Sequence, residues 1–289
     1  MKKSVKTLQM PQFFRPTCMA YKKKQLIAER ERYVYVEDKY IKGDIVRLLS
    51  KIKNTFGLKK NIALPRVAAF EKSTVQKQLP YAAYDTETHT VIANLTIDVS
   101  SDEEFLFIHE LCHHVVLMLK DGKGQGFTYV QSNYLFGRMM DEGFTNFLAE
   151  QVYGKRVEIA YVFPTHVARQ ISNILGKKIV NAMYLSSNVT DLKKDFNKKL
   201  ENYYSSQKYR LKNEWNDVVA MTPFDIFCSC VEYVGMHWGN KNQKIENELM
   251  NVMRSTIEML DYYAILSDTT SMKSYLNEQQ YFLNRHKRN

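Results

Sequence analysis

The run His109-Glu110-Leu111-Cys112-His113 sets two imidazoles four residues apart with a carboxylate between them. On a helix, residues i and i+4 stand one turn apart on one face, so His109 and His113 can aim ring nitrogens at a single Zn²⁺. Glu110 is rotated roughly 100° around the axis, beside such a metal rather than on it, where its carboxylate can take a proton from a bound water. With 7 His and 18 Glu among 289 residues, chance supplies roughly 0.01 matches to this pattern. Burying two imidazoles and a carboxylate among Phe105, Ile108, Leu111, Val115 and Val116 without metal or partners would cost several kcal/mol.

A catalytic zinc needs a third protein ligand and a position left for water. The metzincin solution, a Gly and a His continuing the same helix, is excluded because Val116 and Leu119 occupy those places. The ligand must come from another helix, and Met139–Glu150 offers Asp141, Glu142 and Glu150. Gly143, with no side chain, is expected to let this helix approach the first closely. Asn146, one turn beyond Glu142 on the same face, can hydrogen-bond a ligand histidine and orient it. Helix-capping or solvated roles suit Asp141 and Glu150 better. His114, five residues from His109, points away from the i/i+4 face and reads as packed or solvent-facing. Cys112 reads as a small core residue. Cys228 and Cys230 are too close in sequence to share a helix face, have no companion CxxC, and read as structural.

The segments HELCHH and DEGFTNFLAE together resemble the gluzincin metallopeptidases, the thermolysin-like and M1-aminopeptidase-like group whose third zinc ligand is a Glu on a later helix. The resemblance covers about residues 80–152. It implies His109, His113 and Glu142 as ligands of one Zn²⁺, Glu110 as general base, and YAAYDTETHTVIANLTID as the hairpin and edge strand that bind extended peptide. Thermolysin-like proteins carry Asp where Asn146 stands. No GAMEN-like sequence for holding a free N-terminus is present, which points to endopeptidase rather than exopeptidase activity. Such enzymes also stabilise the oxyanion with a Tyr or His from the helical lobe; Tyr203, Tyr204, Tyr209, His166 and His237 are all eligible. An ImmA/IrrE-like zincin that cleaves one specific partner is the related alternative, and a non-catalytic metal-stabilised binding protein is the other.

The elements that must position these residues are legible from periodicity. Apolar residues recur at helical spacing from Glu37 to Phe56, with Gly57 as C-cap. Ile62–Phe70, Pro80–Tyr84 and Thr90–Ile97 are rich in β-branched and aromatic residues and predict a small sheet, with Asp85–Thr88 as a hairpin connection. Everything after Ser100 reads as helix. Ser100 and Ser101 followed by Glu103 and Glu104 form capping boxes, and the helix they open is apolar on nearly every face and so must be buried. A polar loop, Asp121–Gly126, leads to a second helix from about Asn133 to Tyr153. Further helices are expected near 161–175, 191–206, 209–219, 224–237, 243–266 and 270–285.

Apolar residues make up 45% and charged residues 25% of the chain, which excludes disordered and fibrous classes. Gly and Pro number 11 and 6, half the usual share of roughly 12%, which disfavours turn-dense all-β folds. Four cysteines are too few for a disulfide scaffold. No apolar run is long enough to span a membrane, and no secretory leader is evident, so a cytoplasmic location is expected. The net charge of +10 is concentrated at the N-terminus: residues 1–60 carry 16 Lys/Arg against 5 Asp/Glu. An acidic partner would suit that segment; nucleic acid is disfavoured because no nucleic-acid-binding module is recognisable. The expected architecture is α+β: a basic N-terminal helical extension (1–60), a zincin-like core with a small mixed sheet and the active-site helix (61–155), and a mostly helical C-terminal lobe (156–289). The expected function is zinc-dependent hydrolysis of peptide bonds in a peptide or protein substrate.

Overall fold

The computed structural model describes residues 33–35, 39–70, 82–93, 101–123, 126–131, 134–158, 161–204, 210–212, 218–240, 242–267, 269 and 271–286. Among them are nine helices: α1 (Lys39–Phe56), α2 (Ser101–Leu119), α3 (Arg138–Tyr153), α4 (Val162–Leu175), α5 (Lys177–Leu185), α6 (Val189–Tyr204), α7 (Pro223–His237), α8 (Gln243–Leu266) and α9 (Met272–Arg285). Eight short strands accompany them: β1 (Tyr33–Tyr35), β2 (Arg66–Phe70), β3 (Ala82–Asp85), β4 (Thr90–Ala93), β5 (Tyr129–Gln131), β6 (Tyr134–Phe136), β7 (Arg210–Lys212) and β8 (Val218–Ala220). The fold is mixed α+β and mostly helical. No described helix is long and apolar enough to cross a membrane.

The main sheet has the order β1-β2-β4-β3. Strands β2 and β4 run parallel, pairing Val67 with Val91, while β3 closes the sheet antiparallel to β4, pairing Tyr84 with Val91. The β3–β4 turn is fixed by Asp85, whose carboxylate accepts from the Glu87 amide at 2.9 Å and the Thr88 hydroxyl at 2.8 Å, the local pairing that Asp supplies in turns.

Helix α2 is buried as its all-round apolar sequence requires: Phe105, Ile108, Leu111, Cys112, Val115 and Val116 are each 2% exposed or less. The capping boxes expected at its start rest on side chains outside the described residues. Its C-terminal carbonyls are capped by Lys60, which reaches Met118 O at 3.0 Å and Leu119 O at 3.2 Å; a cation there also suits the negative end of the helix dipole.

Two elements differ from those expected. The helix predicted from Asn133 begins only at Arg138, because β5 and β6 form a hairpin in which Tyr129 stacks on its cross-strand partner Phe136. Aromatic and β-branched residues favour strands over helices. Gly137 then turns the chain at φ 81°, where a Cβ would lie 2.3 Å from the Phe127 carbonyl oxygen, so only glycine can make that junction. Second, residues 210–212 and 218–220 pair as a hairpin instead of a helix. Helix α1 packs against α2 and α3. Its Ile45, Leu48, Leu49 and Ile52 join one continuous apolar core that extends to Phe282 on α9.

Candidate metal centre

His109 and His113 project from one face of α2, and α3 crosses opposite them to present Glu142. The three donor atoms form a nearly equilateral triangle: His109 Nε2 to His113 Nε2 is 3.2 Å, His109 Nε2 to Glu142 Oε2 is 3.1 Å, and His113 Nε2 to Glu142 Oε2 is 3.2 Å. In a tetrahedral zinc site with bonds of about 2.0–2.1 Å, ligand atoms stand about 3.3 Å apart, so the triangle can hold such a metal with little adjustment. Glu110 Oε1 lies beside it, 3.9 Å from His109 Nε2.

The outer ring nitrogens are held by α3. His109 Nδ1 is 2.6 Å from Asn146 Oδ1, and Asn146 Nδ2 donates to Thr165 Oγ1 at 3.2 Å. Thr165 spends its own proton on Tyr161 O, at 2.8 Å, so the amide must present its oxygen to His109. That fixes the proton on Nδ1 and leaves the Nε2 lone pair facing the triangle. His113 Nδ1 faces Thr145 Oγ1 at 3.3 Å and Asp141 Oδ2 at 3.5 Å. Thr145 donates to Asp141 O, so the His113 Nδ1 proton is held from behind and Nε2 is the ring nitrogen that faces the triangle. Asp141 is therefore neither a capping nor a solvated residue; it accepts from the Phe127 amide and the Tyr184 hydroxyl and stands behind His113.

The electrostatics favour positive charge at the triangle. Burial opposes ionisation of Glu142, but His113 and His109 outweigh it and hold the carboxyl well below its ordinary range. Burial likewise opposes charge on His113, yet Glu142 and Asp141 push it up to about 9. A site that attracts a proton this strongly attracts a divalent cation by the same field. Burial raises Glu110 above the ordinary carboxylate range, against the pull of His109 and His113, which moves it towards the basicity useful in proton transfer.

Tyr161, which no spacing along the chain marks, also lies against the triangle. Its ring stacks on His109, with centroids 5.8 Å apart and an interplanar angle of 18°. Its hydroxyl is hydrogen-bonded to Glu142, whose charge, with burial, keeps the phenol protonated far above its usual range. The residue holds φ 51°, ψ 38° as the N-cap of α4, a strained conformation for a non-glycine residue. Pro164 in the first turn of α4 could have marked a helix start in the sequence, but nothing along the chain put that start over His109.

The remaining candidates lie elsewhere. Glu150 pairs with Arg169 and accepts from the Val157 amide. His166 is fully buried between Glu278 and Gln279 of α9. His237 packs against Tyr233 at the end of α7. Tyr203 and Tyr204 belong to the last turn of α6, their side chains outside the described residues, as is all of Tyr209. Gly143 serves a different neighbour than expected: a Cβ there would lie 2.3 Å from Pro164 O, so the bare position admits α4 rather than α2. Of the two places expected for His114, packed or solvent-facing, it takes the packed one: it is 1% exposed, and both ring nitrogens are bonded. Cys112, Cys228 and Cys230 are buried free thiols. No protein-family model, curated protein or solved structure matches the chain.

Proposed function

We propose that this chain is a zinc-dependent peptidase with a zincin-like core, hydrolysing internal peptide bonds in a peptide or protein substrate. The observation that carries the reading is the triangle of His109, His113 and Glu142 donor atoms at 3.1–3.2 Å with the buried Glu110 carboxylate beside it. The mixed sheet supports it, since β3, the outermost strand among the described residues, runs antiparallel to β4 and adjoins the HExxH helix. His109, His113 and Glu142 would hold the metal. Bound there, zinc supplies a lowered pKa for a coordinated water and polarisation of the scissile carbonyl.

The chain's own groups do the rest. Glu110 accepts the proton of the attacking water and delivers it to the leaving amine. Asn146 and Asp141 keep both imidazoles aimed inward. The Tyr161 hydroxyl donates to the negative charge developing on the carbonyl oxygen, an interaction made mainly in the transition state. The buried free thiols fit the reducing cytoplasm. A metal that only stabilised a binding protein would need no buried carboxylate beside its ligands.

The test is metal analysis of the purified chain together with a peptide-library digest. About one zinc per chain is expected, lost in His109→Ala, His113→Ala and Glu142→Ala. Glu110→Gln should keep its zinc and lose hydrolysis by several orders of magnitude, because the amide cannot accept the proton. Cleavage of one partner but not of generic peptides would favour the ImmA/IrrE-like alternative. Parent-rate hydrolysis by Glu110→Gln would sink the mechanism.

A further inference from the structure

The first turns of α3 and α4 meet the C-terminal half of α7 beside the triangle. Gly235 on α7 makes the meeting close: a Cβ there would lie 2.9 Å from Met139 Sδ and 3.1 Å from Pro164 Cγ. Almost one turn earlier on α7, Glu232 takes hold of α3. Its Oε1 pairs with Arg138 Nη2 at 2.8 Å, and its Oε2 accepts from the Met139 amide at 3.0 Å. Gly137, the residue before α3, has no side chain with which to cap the helix, so the Glu232 charge is shared between a helix N-terminus and a guanidinium. Arg138 precedes Glu142 by four residues and stands one turn from it on the same face of α3. Its charge also reaches the Tyr161 hydroxyl: Glu142, burial and Glu110 raise the pKa of that phenol, and Arg138 opposes them.

The guanidinium has more to give than Glu232 takes. Glu232 pairs with one of its three nitrogens. Nε is buried and has no hydrogen-bond partner among the described residues, a burial cost that an arriving acceptor would recover. The side chain as a whole is 27% exposed, so a bound molecule can reach it.

We propose that Arg138 is a specificity-determining residue that pairs with the carboxylate of an acidic side chain, Asp or Glu, next to the scissile bond. This rests on the peptidase reading and narrows its substrate class. The planar fork of a guanidinium matches the two oxygens of a carboxylate. Glu232, tied to the helix by its second oxygen, holds that fork in place, so little side-chain entropy remains to be lost when the substrate arrives. A substrate amide of the same shape offers one acceptor and no charge, and gains less.

The experiment uses the full-length zinc-loaded chain and one peptide from the library digest, blocked at both ends so that no terminal carboxylate is present. The residue on each side of the scissile bond is set in turn to Glu, Gln or Lys. At one of the two positions kcat/KM should be about tenfold higher with Glu than with Gln and lower still with Lys, and the Glu-to-Gln ratio should shrink as salt is raised. Arg138→Gln should bring that ratio to about one, chiefly by slowing the Glu peptide, with zinc content at the parent level. Arg138→Lys should keep part of the ratio. Should Arg138→Gln unfold because Glu232 loses its partner, the double variant Arg138→Gln with Glu232→Gln removes both charges and should give the same ratio. Equal rates on the Glu and Gln peptides in the parent, or a ratio unchanged in Arg138→Gln, overturn the inference and leave the peptidase reading standing. So does a preference seen only with an unblocked peptide, since the carboxylate being read would then be the C-terminus. If the parent cleaves no peptide in a Glu110-dependent way, the peptidase reading fails and the inference with it.

Discussion

At the scale of single residues, the site separates groups that face the triangle from groups that hold them. Glu110, Glu142 and the two imidazole Nε2 atoms face it; Asn146, Asp141, Thr145 and Thr165 fix protons and ring planes from behind. His109, Glu110 and His113 were readable because their spacing is a property of one helix. Asn146 was readable for the same reason once Glu142 was considered, as the two are one turn apart. Tyr161 was not, because its place over His109 depends on how the loop after α3 delivers α4, which no local pattern records. Replacing it tests its part directly: Tyr161→Phe should retain zinc and KM while kcat falls by about 10²–10³, the usual effect of removing one oxyanion donor. A kcat within twofold of the parent, with zinc bound, would remove Tyr161 from the mechanism.

Among elements, the junction of α3 and α4 bears most on the site. Gly143 sits one residue from Glu142, and its missing side chain lets the first turn of α4 pass close by, with Pro164 O 2.3 Å from where a Cβ would be. That close passage puts Tyr161 over His109 and Thr165 beside Asn146. Gly143→Ala should therefore push α4 outward, with a stability loss of about 1–3 kcal/mol from overpacking, and loosen zinc binding as the Thr165–Asn146–His109 chain lengthens. Chemical denaturation and chelator competition measure the two effects. A variant with parent stability and metal affinity would show that α4 can yield without disturbing the site. The β5–β6 hairpin is bolted independently to the helical part: Tyr129 donates to Asp225 at 2.6 Å, and Lys193 reaches both Asp225 and Gln131 at 2.7 Å.

Across the whole molecule, that bolt also sets an acid limit on stability. Burial opposes ionisation of Asp225, but Lys193, Tyr129 and Thr222 outweigh it and lower its pKa below the usual Asp value of about 3.9. A carboxylate depressed on folding contributes stability that is fully present above its unfolded pKa and lost as pH falls through the folded one. Asp225→Asn should thus cost about 2–3 kcal/mol near neutral pH and flatten the acid limb of a pH–stability curve below about pH 4. An unchanged acid limb would mean that Asp225 gains nothing from its partners. The continuous core makes a second prediction. The basic residues 1–32 lie outside the described residues, but α1 does not stand apart: Ile45, Leu48, Leu49 and Ile52 are 4% exposed or less. Burying each contributes about 1.5–3 kcal/mol. Deleting residues 1–30 should spare zinc content and the thermal midpoint, whereas deleting 1–60 should prevent stable folding. A folded, zinc-binding chain lacking 1–60 would make α1 dispensable.

The sequence alone determined whatever depends on neighbours within a turn or a hairpin. The i/i+4 histidines, the all-round apolar HExxH helix, the Asp85–Thr88 turn and the Glu142/Asn146 pair all follow from backbone periods of 3.6 and 2, which residue spacing records directly. Short hairpins such as β5–β6 escaped it, because a three-residue strand is too brief to establish a period and the helical pattern around it dominates. Only the tertiary structure decided which distant surfaces meet. It set Tyr161 against His109, Gly143 against α4, α1 against α2 and α3, and His114 against Tyr84, since those contacts arise from packing side chains into a common dense core, and close packing depends on shapes that lie far apart along the chain.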